Sequence, residues 1–257
     1  MDVLVVGGTG TLGRHIVTAL RQSGHRARIF SRNPRGHVDA VQGDLRTGVG
    51  VDKALAGMHV LVHAASATRH PLRASSTDVG GTRRLLESAR AAGVRHVVFT
   101  SIVGIDRVAY PYYRTKLKAE QVVRESEVPW TILRATQFHD FVDHILGAFS
   151  RVPRITAVPF DWQLQPVDAS DVARRVVAVV LAEPAGILPD FGGPEIRDLR
   201  SLAEAWLAAR GDRRRLVNLT IPLQASRDIA AGNLLCPEHR DGRTTFEDYL
   251  AARYPAT

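Results

Sequence analysis

Short apolar runs alternate with amphipathic stretches through the first two thirds of the chain. Near-continuous apolar runs predict strands at 2–6 (DVLVV), 26–30 (RARIF), 38–42 (HVDAV), 59–63 (HVLVH), 94–100 (VRHVVFT) and 129–133 (PWTIL). Helical spacing of apolar positions falls between them, at 12–23, 78–92 and 111–127. Strand and helix repeated in this order require crossover connections, hence a mostly parallel sheet covered on both faces. Strands that are apolar at nearly every position agree, because both of their faces are buried.

Beyond residue 135 the rhythm changes. FHDFVDHILGAF predicts a helix, RITAVPFDWQLQPVD is irregular and aromatic, and DASDVARRVVAVVLA predicts a helix capped by Asp168 or Ser170. The tail predicts a short strand in GILPDF, a helix near 198–210 and a last helix near 244–253. No linker, repeat or low-complexity stretch divides the chain. The expectation is one α/β domain over 1–257 with a doubly wound, Rossmann-type sheet. A small C-terminal substrate region, about 136–168 and 184–257, is expected to pack on the ligand edge.

Composition narrows the class. Apolar residues make up 45% and charged residues 23% of the 257, as in ordinary globular proteins. The single cysteine, Cys236, excludes an internal disulfide and points to a reducing compartment. Asp2 stands where a secretory leader needs a basic region, and the apolar run at 176–182 is too short to span a bilayer. A cytoplasmic protein with no membrane contact is expected. The net charge of +8 raises nucleic acid as a partner. Against that, the arginines are scattered, and the one dense run, RGDRRRL at 210–216, reads as a solvated helix end or loop. No nucleic-acid partner is expected; a basic chain suits an anionic small ligand.

The chemistry starts at GGTGTLG, directly after the first strand. Gly8, Gly10 and Gly13 fit G-x-G-x-x-G, while Gly7, Gly10 and Gly13 fit G-x-x-G-x-x-G. The first glycines permit a sharp turn, Gly10 lets peptide N–H groups approach a pyrophosphate, and Gly13 permits close packing of helix on strand. The helix that begins at Thr11 and Leu12 offers unpaired N–H groups and the positive end of its dipole. A dinucleotide is the expected ligand. The second strand ends in Ser31, Arg32 and Asn33, where an NAD-preferring site carries Asp or Glu. Arg32 can pair with a 2′-phosphate, so NADP(H) is preferred over NAD(H); the alternative is a surface arginine.

A second constellation lies in YPYYRTKLKAE. Pro111 suits the first turn of a helix, which places Tyr112 and Lys116 four apart on one face. An ammonium beside a phenol favours the phenolate and makes the tyrosine a usable proton donor near neutral pH. The chain contains only three lysines, Lys53, Lys116 and Lys118, so an ammonium kept at 116 suggests that a guanidinium does not serve there. Tyr113 is the competing phenol. Ser101, just past the fifth strand, with Thr100 as neighbour, supplies a hydroxyl to hold a substrate oxygen.

GGTGTLG, GDL at 43–45, HAAS at 63–66, TSIVG and YYRTK together resemble the short-chain dehydrogenase/reductase superfamily. The atypical branch, with NmrA-like and NAD(P)H-binding quinone reductase-like members, is the most similar, over roughly 1–182. The resemblance implies that Asp44 and Leu45 flank the adenine and that Ala64, Ala65 and Ser66 line the cofactor. It also implies that Lys116 donates to the nicotinamide ribose and that Ala135 to Phe138 approach the nicotinamide. The chain departs from standard members in carrying His63-Ala64-Ala65 where they carry Asn-Ala-Gly. Some atypical relatives lack the tyrosine and only bind cofactor; Tyr112 is kept here.

These readings predict an NADPH-dependent reductase acting on a carbonyl, quinone or enone, with Tyr112, Lys116 and Ser101 catalytic. The alternative is an NmrA-like NADP(H) sensor without turnover; a nucleotide-sugar epimerase or dehydratase ranks last. His139 in QFHDF falls at the ligand edge as a substrate contact or as a histidine bonded to local backbone. Phe138, Phe160 and Trp162 either wall a flat, apolar substrate or belong to the core. His59 and His63 lack a third ligand, so no metal is expected. A monomer or homodimer is expected.

Overall fold

The computed structural model describes residues 1–34, 36–65 and 79–255. It divides into two compact units. Unit 1 comprises Met1–Ser101, Pro111–Arg134 and Val172–Pro189; unit 2 comprises Ile102–Tyr110, Ala135–Asp171 and Asp190 onward.

Unit 1 is built on a seven-stranded sheet. Its strands are β1 (Asp2–Val6), β2 (Arg26–Ser31), β3 (Ala40–Gln42), β4 (Val60–His63), β5 (His96–Ile102), β6 (Trp130–Ala135) and β9 (Gly186–Ile187). Their order is β3-β2-β1-β4-β5-β6-β9, and the pairs β1–β2, β1–β4, β2–β3, β4–β5 and β6–β9 are parallel. The order reverses direction between β1 and β4, and the ends of those two strands mark the crevice where open sheets of this kind take ligands. Helices α1 (Thr11–Gln22), α2 (Val51–Leu55), α3 (Gly81–Ala91), α4 (Pro111–Arg124) and the main part of α6 (Ala169–Val180) belong to this unit.

The expected strands and helices are present, shifted at their ends by a few residues. The physical reason is the predicted one: β1 and β4 bury Leu4, Val5, Leu61 and Val62 completely. On α1, Leu12, Ile16, Val17 and Leu20 form one buried stripe, and on α3 Leu85, Leu86 and Ala89 do the same. Each fully buried side chain of this size contributes about 1.5–3 kcal/mol. Asp168 caps α6, its Oδ1 accepting from the Ser170 N–H at 2.8 Å.

Unit 2 packs α5 (His139–Phe149), α7 (Leu199–Ala209) and α9 (Phe246–Arg253) around a second core of Val142, Leu146, Leu202, Trp206, Phe246 and Leu250. Two small sheets accompany them, and both correct the sequence reading. The stretch expected to be irregular holds β7 (Ile155–Val158) and β8 (Gln163–Leu164). The arginine-rich run leads into β11 (Arg215–Asn218), which pairs parallel with β7, while β8 pairs antiparallel with β10 (Arg197–Asp198). Strands of two and four residues are too short to show a period. α8 (Gln224–Ala230) is likewise an addition to the sequence reading. Asp198 caps α7 by accepting from the Ser201 N–H at 2.7 Å, and Thr245 and Asp248 form a capping box on α9. Among the described residues no helix is long and apolar enough to cross a membrane.

Candidate functional site

The glycine turn sits at the switch point. Gly7 follows β1 with φ +81°, a conformation that favours glycine, and a Cβ there would stand 2.8 Å from the Ala65 Cα just beyond β4. A Cβ on Gly13 would stand 2.1 Å from the Gly7 carbonyl oxygen, so α1 rests directly on the turn. Gly8 instead faces Ile29 of β2, at 3.0 Å from a would-be Cβ. The working series is therefore Gly7, Gly10 and Gly13. Gly10 is the N-cap of α1, is extended and makes no side-chain cap hydrogen bond to the first N–H groups of the helix. An uncapped helix start, cleared of Cβ atoms beside Ala64 and Ala65, fits the diphosphate of a dinucleotide.

At the end of β2, Ser31 Oγ and Thr9 Oγ1 lie 2.8 Å apart, tying the strand to the turn. Arg32 is exposed, and its carbonyl accepts from Gln42 Nε2 at 3.2 Å. The positions after the strand hold no carboxylate to accept from a ribose hydroxyl. Arg32→Ala is expected to raise the KM for NADPH about tenfold or more while changing that for NADH little; equal effects on both cofactors in steady-state kinetics would remove Arg32 from the site. Asp44 spends Oδ1 on the Arg46 N–H at 2.8 Å, and Leu45 is buried in the core of unit 1. Ser66 lies outside the described residues.

The second constellation assembles around Phe99. Phe99 and Ser101 are two apart on β5, so their side chains share one face of the sheet. The Lys116 Nζ lies 4.2 Å above the Phe99 ring, and the His63 ring meets Phe99 edge-on at 5.2 Å. Lys116 is only 3% exposed and Tyr112, one turn earlier on α4, 6%. The Tyr113 ring lies 6.0 Å from that of Tyr112 and is less buried. Ser101 is 6% exposed, and its Oγ has no hydrogen-bond partner among the described residues. Thr100 is committed elsewhere, donating to the His63 carbonyl at 3.3 Å. A buried hydroxyl without a partner is costly, by about 1–3 kcal/mol, unless a ligand completes it.

His63, set aside in the sequence as a failed metal ligand, is a member of this cluster. Its Nε2 pairs with Thr82 Oγ1 at 2.9 Å and its Nδ1 has no partner among the described residues. Burial, helped by the Lys116 charge, pushes its pKa down to about 3. The ring stays neutral, leaving Lys116 as the cation of the cluster. An unfolded chain protonates this histidine at an ordinary 6.5, and the folded chain only near 3. Between those values the unfolded state holds the extra proton, so stability is full above pH 6.5 and falls as pH drops. Burial lowers His96 and His139 as well, in the same sense. Urea unfolding at pH 5 is expected to give a free energy about 2 kcal/mol below that at pH 7 from His63 alone. His63→Asn should remove its own part of that dependence and leave the part due to His96 and His139; equal stabilities of the unsubstituted chain at the two pH values would contradict a neutral, buried His63.

The remaining predicted residues lie in unit 2. Ala135 bridges to Phe191, and Phe138, half-buried, is the N-cap of α5 and bridges to Val167. His139 is fully buried between the rings of Phe246 and Tyr249, at 5.6 and 5.4 Å, and its Nε2 pairs with the Thr244 carbonyl at 3.1 Å. That partner is distant in sequence, so His139 ties α5 to the segment before α9. Phe160 and Trp162 pack on the unit 2 core; Trp162 Nε1 donates to Ser226 Oγ at 2.8 Å. Burial pushes the Cys236 thiol up to about 12, which leaves it unreactive at neutral pH.

A family model described as NAD(P)H-binding matches residues 7–183. The chain is 29% identical over 217 residues to the ceramide reductase of Caulobacter vibrioides, a match covering 79% of this chain and 67% of that protein. It is 30% identical over 186 residues to the (4-alkanoyl-5-oxo-2,5-dihydrofuran-3-yl)methyl phosphate reductase of Streptomyces griseus, covering 69% and 62% respectively. The chain thus spans about two thirds or less of the length of these curated relatives. Among solved structures, a short-chain dehydrogenase/reductase superfamily protein from Agrobacterium tumefaciens with bound NAD superposes with a TM-score of 0.70. That pair is 23% identical and covers 98% of this chain and 97% of the other. At that identity the likeness is one of fold.

Proposed function

The chain belongs to the NAD(P)H-binding family, and on that footing we propose that it is a short-chain dehydrogenase/reductase-type protein, an NADPH-dependent reductase of a carbonyl, quinone or enone carbon. The observation that carries this reading is the buried Ser101 hydroxyl, without a hydrogen-bond partner among the described residues, on the same face of β5 as Phe99, whose ring Lys116 covers. A dinucleotide held at Gly7, Gly10 and Gly13 supplies the hydride. Ser101 Oγ donates a hydrogen bond to the substrate oxygen as negative charge develops there. The Tyr112 phenol gives that oxygen its proton, and the Lys116 ammonium stabilises the phenolate left behind. Arg32, at the end of β2, pairs with the 2′-phosphate and makes NADPH the preferred cofactor.

The test is loss of NADPH absorbance with a panel of quinones, enones and aromatic ketones. Turnover of a panel member, faster with NADPH than with NADH, is the expected result. Binding of NADPH by calorimetry with none consumed across the panel would favour the alternative, a dinucleotide sensor.

A further inference from the structure

The arginine-rich run at 210–216 reads from the sequence as a solvated helix end or loop; the structure makes it one wall of a cavity. The cavity measures about 410 Å³ and lies wholly within unit 2, at the C-terminal ends of α5 and α7. Arg151 follows α5, Arg210 is the C-cap of α7, and Asp212 and Arg214 come between α7 and β11. Trp206 and Tyr254 add two rings to the lining.

The carboxylates of this cavity are already committed. Asp212 accepts from the Arg214 N–H at 3.1 Å through Oδ1 and meets Arg214 Nε at 3.1 Å through Oδ2. Asp143 accepts from Trp206 Nε1 at 2.6 Å and from Tyr254 Oη at 2.7 Å through Oδ1. Its Oδ2 accepts from Tyr249 Oη at 3.2 Å, with Arg253 Nε at 3.9 Å. Arg214 also donates to the carbonyl of Ser150, the C-cap at the negative end of α5. Two cations remain. Among the described residues the side chains of Arg151 and Arg210 have no ion pair or hydrogen bond.

Arg210 is nonetheless held in place. Its guanidinium carbon lies 4.4 Å from the centroid of the Trp206 ring and 4.9 Å from that of Tyr254. Such contacts use the faces of a guanidinium and leave the N–H donors at its edge unspent. A long side chain ordered in this way has lost its rotamer freedom before any ligand arrives, which favours binding. The space beside it is of ligand size, since small-molecule sites run from about 300 to 1,000 Å³.

We propose that this cavity binds a small organic phosphate, whose oxygens pair with Arg151 and Arg210 and whose carbon skeleton fills the remaining space. Two guanidinium forks suit a phosphate dianion, with three oxygens to share, better than a single carboxylate. Every residue involved belongs to unit 2, and the proposal does not rest on the reductase reading.

The test follows the indole N–H resonance of Trp206, assigned by its loss in Trp206→Phe. The full chain, in excess NADPH so that the dinucleotide cradle is occupied, is titrated with glucose 6-phosphate, inorganic phosphate and glucose. Glucose 6-phosphate is expected to move the resonance with a midpoint of about 1 mM or below. Inorganic phosphate should need about fivefold more, because it leaves most of the cavity unfilled, and glucose should leave the resonance where it is. Arg210→Ala and Arg151→Ala should each weaken glucose 6-phosphate about tenfold. Both side chains are exposed, so neither change removes a core contact. Arg210→Lys keeps the charge without the planar fork and should fall between Arg210→Ala and the original. A resonance unmoved at about 10 mM glucose 6-phosphate overturns the proposal. So does an unchanged midpoint in both alanine variants, and so do equal midpoints for glucose 6-phosphate and either control. A chain that reduces nothing in the quinone and enone panel loses the reductase reading and keeps these expectations intact.

Discussion

Gly13→Ala is expected to abolish NADPH binding and to lower stability by about 3 kcal/mol or more, whereas Gly10→Ala should fold normally and lose affinity about a hundredfold. The contrast follows from what each new methyl group meets. At Gly13 it would stand 2.1 Å from the Gly7 carbonyl oxygen and 2.7 Å from the Gly8 Cα. Both are backbone atoms, so no side chain can swing aside; either α1 lifts off the turn or the turn unwinds. Replacing a helical glycine with alanine would otherwise gain about 1 kcal/mol of helix propensity, and overlap this deep outweighs it. At Gly10 the nearest atom is the Gly7 carbonyl oxygen at 3.2 Å, a contact that a small shift relieves. Alanine is a poorer N-cap than glycine by a few tenths of a kcal/mol to about 1 kcal/mol. Its methyl group would nevertheless stand at the helix start, where the phosphate oxygens must approach the N–H groups. Calorimetric titration with NADPH and thermal unfolding separate the two losses. A Gly13→Ala chain that binds NADPH as the original does would place the dinucleotide elsewhere.

Sequence and structure agree most closely where the signal is local. A strand of apolar residues, a glycine turn and an amphipathic helix are neighbours along the chain, and each is dictated by residues within one turn or one pleat. The pairings that need a distant partner were less legible. The motif alone left Gly7 and Gly8 as alternatives, because the atom that decides between them belongs to Ala65, beyond β4. The small sheets of unit 2 were missed for a related reason. β7 finds its partner in an arginine-rich run that reads as solvent-exposed, and β8 and β10 are two residues each. His63 was visible as a strand-end histidine, but only the fold brings its ring to Phe99 and its field to Lys116. One signal pointed to it: a titratable residue closing a strand otherwise made of Val60, Leu61 and Val62, all buried.

Tyr112→Phe is expected to lower kcat by a factor of about a hundred to ten thousand while leaving the dissociation constant for NADPH unchanged. The substitution removes one oxygen and keeps the ring that fills its buried place on α4. Ser101→Ala should lose a comparable part of kcat if its hydroxyl is, as proposed, the donor to the developing oxyanion. Stability should rise slightly, or hold, since the buried hydroxyl it deletes has no partner among the described residues. Groups that act on one oxygen in one step are not additive, so the double variant should be little worse than the poorer single one. Single-turnover absorbance at saturating NADPH measures each step without interference from product release. Independent, multiplying losses would mean that the two hydroxyls serve different steps. A Tyr112→Phe chain that keeps its rate to within about threefold would move proton donation elsewhere. Tyr113, whose ring is 6.0 Å away and better exposed, is then the next phenol to replace.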